Sequence, residues 1–97
     1  DFAKKVSNRL KYKKSEIGIL VCGSGTGMAI SANKTKGIRA AVCYNLKSTR
    51  LSRLHNNANI IAVGSRLTKK DIALKLVSIF LKTKFEGGRH LKRVKKI

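Results

Sequence analysis

Ile17-Gly18-Ile19-Leu20-Val21-Cys22 runs straight into Gly23-Ser24-Gly25-Thr26-Gly27-Met28, and the junction orders the rest of the chain. The first six residues are apolar without alternation, which suits a parallel strand covered on both faces. Glycine at every second position from 23 to 27 then ends the strand. Such a loop turns tightly and aims backbone amides at an anion as a helix begins. Met28 to about Lys34 reads as that helix, Lys36-Gly37 as a turn, and Ile38 to Cys43 as a second strand rich in β-formers. Strand, loop, helix and strand make a βαβ unit.

Working outward, residues 1 to about 11 place Phe2, Val6 and Leu10 at a four-residue step, one face of an amphipathic helix. Lys47 to about Leu54 reads as a short helix, followed by the polar segment His55 to Asn57 and a third strand, Asn59 to Val63, ending at Gly64. Thr68 with Asp71 has the form of a capping box opening a further helix, whose buried stripe is Ile72, Leu76, Ile79 and Phe80. Helix is also expected in Arg89 to Ile97, after Gly87-Gly88. Three strands, each followed by a loop and a helix, predict a doubly wound α/β domain with its site at the strands' carboxyl ends.

The 97 residues allow one domain and one core, and no linker or repeat divides them. The longest apolar runs are far too short to cross a bilayer, and no apolar signal segment opens the chain, so a soluble cytoplasmic protein is expected. Cys22 and Cys43 have no CxxC spacing and no set of partner ligands, which argues against both a disulfide scaffold and a zinc site. Lys and Arg number 23 against 4 Asp and Glu, a net charge of +19 that would attract any anion. Nucleic acid is the obvious candidate, yet the basic residues are spread from Lys4 to Lys96 and the five aromatic residues form no stacking cluster. A solvated Lys-rich surface is the preferred reading.

Three clusters could carry chemistry. Cys22-Gly23-Ser24-Gly25-Thr26-Gly27 is not a dinucleotide fingerprint, since Met28 stands where a third glycine is required; nor is it a P-loop, since no Lys-Ser or Lys-Thr follows. Cys22 adjoins a helix N-terminus in a cationic protein, and both influences favour the thiolate, which can act as a base. His55-Asn56-Asn57-Ala58-Asn59 sets an imidazole, suited to proton exchange near neutral pH, among amides. In Glu86-Gly87-Gly88-Arg89-His90-Leu91-Lys92-Arg93 the two arginines stand four apart, so both could meet one phosphate. Each cluster alone also reads as ordinary loop or tail.

Together, Gly18 to Met28, Gly37 to Ala41, His55 to Asn59, Gly64 to Arg66 and Phe85 to His90 resemble, in order and spacing, the motifs of the ribose-5-phosphate isomerase B and galactose-6-phosphate isomerase family. The resemblance covers nearly all of the chain. It implies a three-layer αβα sandwich with a Rossmann-like parallel sheet, lacking the first βαβ portion that family members carry, including an Asp-His pair that contacts substrate. It implies an intramolecular oxidoreductase of the pentose phosphate pathway that needs no metal or organic cofactor. Cys22 would be the base that moves a proton between two carbons through an enediolate, and His55 would help open the sugar ring. Ser24 and the amides of Gly23, Gly25, Thr26 and Gly27 would hold the enediolate oxygens. Asn56 would contact substrate hydroxyls, and Arg66, Arg89 and Arg93 the phosphate. Ribose 5-phosphate is the expected substrate, with galactose 6-phosphate and allose 6-phosphate as six-carbon alternatives. The partner is expected to be a second copy, in a homodimer or homotetramer with shared sites. Without the front portion the chain alone is expected to be poorly active.

Overall fold

The computed structural model describes residues 2–13 and 16–97. In order they form α1 (Phe2–Leu10), β1 (Gly18–Cys22), α2 (Thr26–Asn33), β2 (Ala40–Val42), α3 (Leu46–Asn56), β3 (Ile60–Gly64), α4 (Lys70–Lys82) and α5 (His90–Lys95). The sheet is parallel in the order β1-β3-β2, with Gly18 opposite Ile60 and Ala40 opposite the same residue on the other side. β1 and β2 flank β3 and do not pair with each other. β3 takes the centre because it is buried along its whole length and feeds both layers. Ile60 and Ala62 pack with Ala3, Leu10, Ala29 and Ala32 of α1 and α2. Ile61 and Val63, pointing the opposite way, pack with Leu76 and Phe80 of α4. The result is the expected three-layer sandwich.

Several local expectations shift. The buried face of α1 is Ala3, Ser7 and Leu10, while Phe2 is 73% exposed. Small residues there let α1 close on α2, where the Ser7 hydroxyl donates to Ala32 O at 3.5 Å. Among the described residues β1 is covered on one face: Leu20 is buried, whereas Ile19 and Val21, which point the other way, are 44% and 60% exposed. β2 shortens to three residues. Asn33 replaces a neighbouring strand on its outer side, donating to Ala40 O at 3.0 Å and accepting from Ala40 N at 2.7 Å. Thr68 does not cap α4. Lys69 holds that place, the amide of Thr68 turns back to Gly64 O at 3.0 Å, and the Thr68 hydroxyl is buried without a hydrogen-bond partner.

α3 fixes the distance between the two ends of the sheet. Asn45 opens it by accepting from Ser48 N at 2.7 Å, and Asn57, in the left-handed region at φ 47°, closes it. Its 11 residues correspond to about 16 Å of helix. Arg53 secures its end, donating to Thr83 O at 2.8 Å and to Ala58 O. Among the described residues no helix is long and apolar enough to cross a membrane.

Candidate active site

Cys22 is the last residue of β1 and sits opposite Gly64, the last residue of β3, so the glycine loop emerges at the carboxyl end of the sheet. The loop folds back on its own cysteine, and Gly25 N lies 3.0 Å from Cys22 Sγ. Gly25 reaches that position at φ 84°, where a side chain would be strained. Gly64 is required for a different reason: a Cβ there would stand 2.6 Å from Ser24 O, inside the loop's main chain. Two backbones therefore touch at the base of the site. Ser65 N and Arg66 N donate to Cys22 O at 2.7 Å and Gly23 O at 3.0 Å, which ties the turn after β3 to the loop after β1.

Above this floor lies an open cleft of about 640 Å³, lined by Cys22, Gly23, Ser24, Gly27, Arg66 and the first turns of α2. Arg66 lies over Gly23, its Nε 3.4 Å from where a Cβ of Gly23 would be. Cys22 is half-buried, with its sulfur against an amide. Two of the amides expected to face substrate are engaged within the loop, that of Gly25 on the sulfur and that of Thr26 on Ser24 Oγ at 3.3 Å. Met28, Ser31 and Leu67 also line the cleft and escaped sequence reasoning. The spacing of Gly27, Met28 and Ser31 on one helical face was the signal available. Cys43, by contrast, is buried, and burial raises its thiol above the usual range. It is a core residue.

His55, Asn56, Arg89 and Arg93 do not line this cleft. His55 and Asn56 are the last residues of α3, immediately before the segment that enters β3, and so lie at the amino end of the sheet. Within one chain the thiol and the imidazole are separated by about the length of α3 or β3, ~13–16 Å. α5 packs on the end of α3 there. The His90 ring stacks on His55 with centroids 4.2 Å apart and planes 17° from parallel. Arg93 Nη2 donates to His55 O and to Asn56 Oδ1 at 3.0 Å, and lies 3.2 Å from His90 Nδ1. His90 is held below the ordinary imidazole range, first by burial and then by His55, Arg89 and Arg93. Arg89 stands at the N-terminus of α5, one turn from Arg93.

His55, Glu86 and His90 also place potential ligand atoms within 4.8 Å of one another. A metal needs in-plane nitrogen lone pairs that converge. Stacked rings point theirs side by side, and the Arg93 guanidinium, itself a cation, lies 3.2 Å from His90 Nδ1. The cluster is a poor cation site.

The description Ribose/Galactose Isomerase belongs to the family whose sequence pattern matches residues 1–97. The chain belongs to this family. Among its relatives, ribose-5-phosphate isomerase B of Escherichia coli is 49% identical over 80 residues, 82% of this chain and 54% of that protein. A type B ribose 5-phosphate isomerase from Trypanosoma cruzi superposes with a TM-score of 0.96 at 44% identity, covering 99% of this chain and 65% of that one. Ribose-5-phosphate isomerase B from Mycoplasma genitalium, solved with bound ribulose-5-phosphate, gives 0.96 at 42% identity, covering 99% and 64%. The chain spans 64 to 67% of the length of curated isomerase-family relatives that it matches from end to end. The cysteine cleft and the histidine cluster both fall within the span shared with the family.

Proposed function

We propose that the protein interconverts an aldose phosphate and a ketose phosphate, ribose 5-phosphate and ribulose 5-phosphate, at a site assembled from two copies of the chain. The observation that carries this reading is the Gly25 amide on Cys22 Sγ at the floor of an open cleft beside Arg66. A sulfur that takes up a proton must first carry negative charge, and the amide sets partial positive charge against it. The bound ribulose-5-phosphate of the Mycoplasma genitalium relative supports the five-carbon substrate. Galactose 6-phosphate and allose 6-phosphate remain the six-carbon alternatives.

In the proposed reaction, His55 gives a proton to the ring oxygen as the bond from that oxygen to C1 breaks, and the anomeric O1 hydroxyl returns its proton to His55 as the C1 aldehyde forms. Cys22 then removes the proton from C2, and the electron pair forms the C1–C2 double bond of an enediolate. Ser24 and the remaining loop amides, including that of Gly27, meet the oxygen on which charge develops. The same proton returns to C1, while the O2 hydroxyl proton moves to O1, which leaves a ketone at C2. Arg66, Arg89 and Arg93 hold the phosphate, Asn56 meets a hydroxyl, and the +19 charge draws the dianion in.

Two copies are required because one chain puts Cys22 and His55 at opposite ends of the sheet. A second copy can bring its amino-end cluster to the first copy's cleft, and a two-fold arrangement then makes two equal sites. In the protein expressed from its whole reading frame, Cys22→Ala should lower kcat for ribose 5-phosphate by roughly 10² to 10⁴. Unchanged turnover would overturn the assignment of the base. Nucleic-acid binding is not favoured; a protein that does not retain DNA or RNA at low salt would agree with that.

A further inference from the structure

The chain has two histidines, and the fold lays one ring on the other. Only His55 has a place in the reaction above. We propose that His90 is a positioning residue for His55, a buried uncharged ring whose face fixes the plane in which His55 exchanges its proton. This rests on the reading of His55 as the proton-exchanging group.

The geometry defines the state of His90. Arg93 Nη2 lies 3.2 Å from His90 Nδ1. A guanidinium has no lone pair with which to accept, so the contact favours the tautomer whose Nδ1 lone pair faces Arg93 and whose proton is on Nε2. Nε2 is buried and has no hydrogen-bond partner among the described residues. A leucine would fill the same space without leaving a donor unsatisfied. It could not offer Arg93 an acceptor or His55 a flat face at 4.2 Å. Protonating Nδ1 would break the Arg93 contact, and the surroundings oppose the charge. His55 faces the ring from α3, Arg89 from the α5 N-terminus and Arg93 from α5 itself, and only Glu86 of the preceding loop favours the cation. Since Arg93 also bonds His55 O and Asn56 Oδ1, one side chain fastens both rings to the same end of α3. His90 thus stays neutral and face-on while His55 gains and loses its proton.

Two variants separate the ring face from the acceptor. His90→Gln keeps a polar end for Arg93 and removes the ring, whereas His90→Phe keeps the face and removes the acceptor. In the protein expressed from its whole reading frame, His90→Gln should lower kcat about tenfold with KM within about twofold, and His90→Phe should restore kcat to within about threefold of wild type. Wild-type turnover in His90→Gln, or an equal loss in both variants, would overturn the proposal. A spectroscopic measurement covers the case in which a variant folds poorly. Wild-type NMR should show NOEs between the His55 and His90 rings and His55 ring protons displaced upfield, and the displacement should vanish in His90→Gln and persist in His90→Phe. Undisplaced His55 protons in the wild type would refute the stack. His55→Asn tests the isomerase reading by itself, so a large loss there with no loss in His90→Gln would sink this inference alone.

Discussion

At the carboxyl end of the sheet the proposed base is held by main chain, and at the amino end the proposed proton donor is held by side chains. Cys22 is positioned by one amide, and its loop is seated on Gly64 with no side chain between. His55 is positioned by a stacked ring, a guanidinium and a helix terminus. The first construction is unforgiving, because atoms touching backbone cannot move aside. The second can be adjusted one side chain at a time. Substitutions at the two ends should therefore fail in different ways: abruptly at the loop, in graded steps at the histidines.

Cys22→Ala tests the chemistry of the first end, and its loss of two or more decades in kcat is the largest effect expected. Gly64→Ala tests how that end is built. Its Cβ would start 2.6 Å from Ser24 O, and the overpacking should cost about 1–3 kcal/mol, read as a lower denaturation midpoint, along with most of the activity. A fully stable and active Gly64→Ala protein would show that the backbone contact is not a constraint. His90→Gln, with its tenfold effect on kcat, comes next. The smallest effect is a pH dependence. His90 is lowered from the ordinary value of 6.5, so the unfolded chain binds its proton more readily than the folded one. This contribution to stability is fully present above 6.5 and is lost as pH falls through the lower folded value. Acid titration of the Tm should show a decline below the ordinary imidazole range that is absent in His90→Phe.

The layered architecture and the cysteine cleft were legible in the sequence because they rest on short local patterns: apolar runs, glycines at alternate positions, one amphipathic stripe in α4. What was not legible depends on tertiary packing. Phe2 looked like the buried face of α1, but Ala3 and Ser7 allow closer approach to α2 and so take that face. The placing of β3 between β1 and β2 follows from its burial on both sides, which no single segment displays. Thr68 matched a capping box, yet the turn after Gly64 draws its amide away and starts α4 later. At the site, the Cys22, Ser24 and Arg66 grouping was legible, whereas the stacking of His90 on His55 links α3 to a helix begun some thirty residues later. The four-residue spacing of Arg89 and Arg93 was visible, but not that Arg93 would reach back to His55 O.

Mixing two inactive variants tests most directly whether Cys22 of one copy works with His55 of another. Cys22→Ala and His55→Asn proteins, each purified separately, are unfolded together, refolded and assayed with ribose 5-phosphate. A two-fold shared site predicts recovery of about a quarter of wild-type activity, since about half of randomly formed dimers are mixed and each mixed dimer holds one intact site. No recovery from a mixture shown to contain hetero-oligomers would contradict the account.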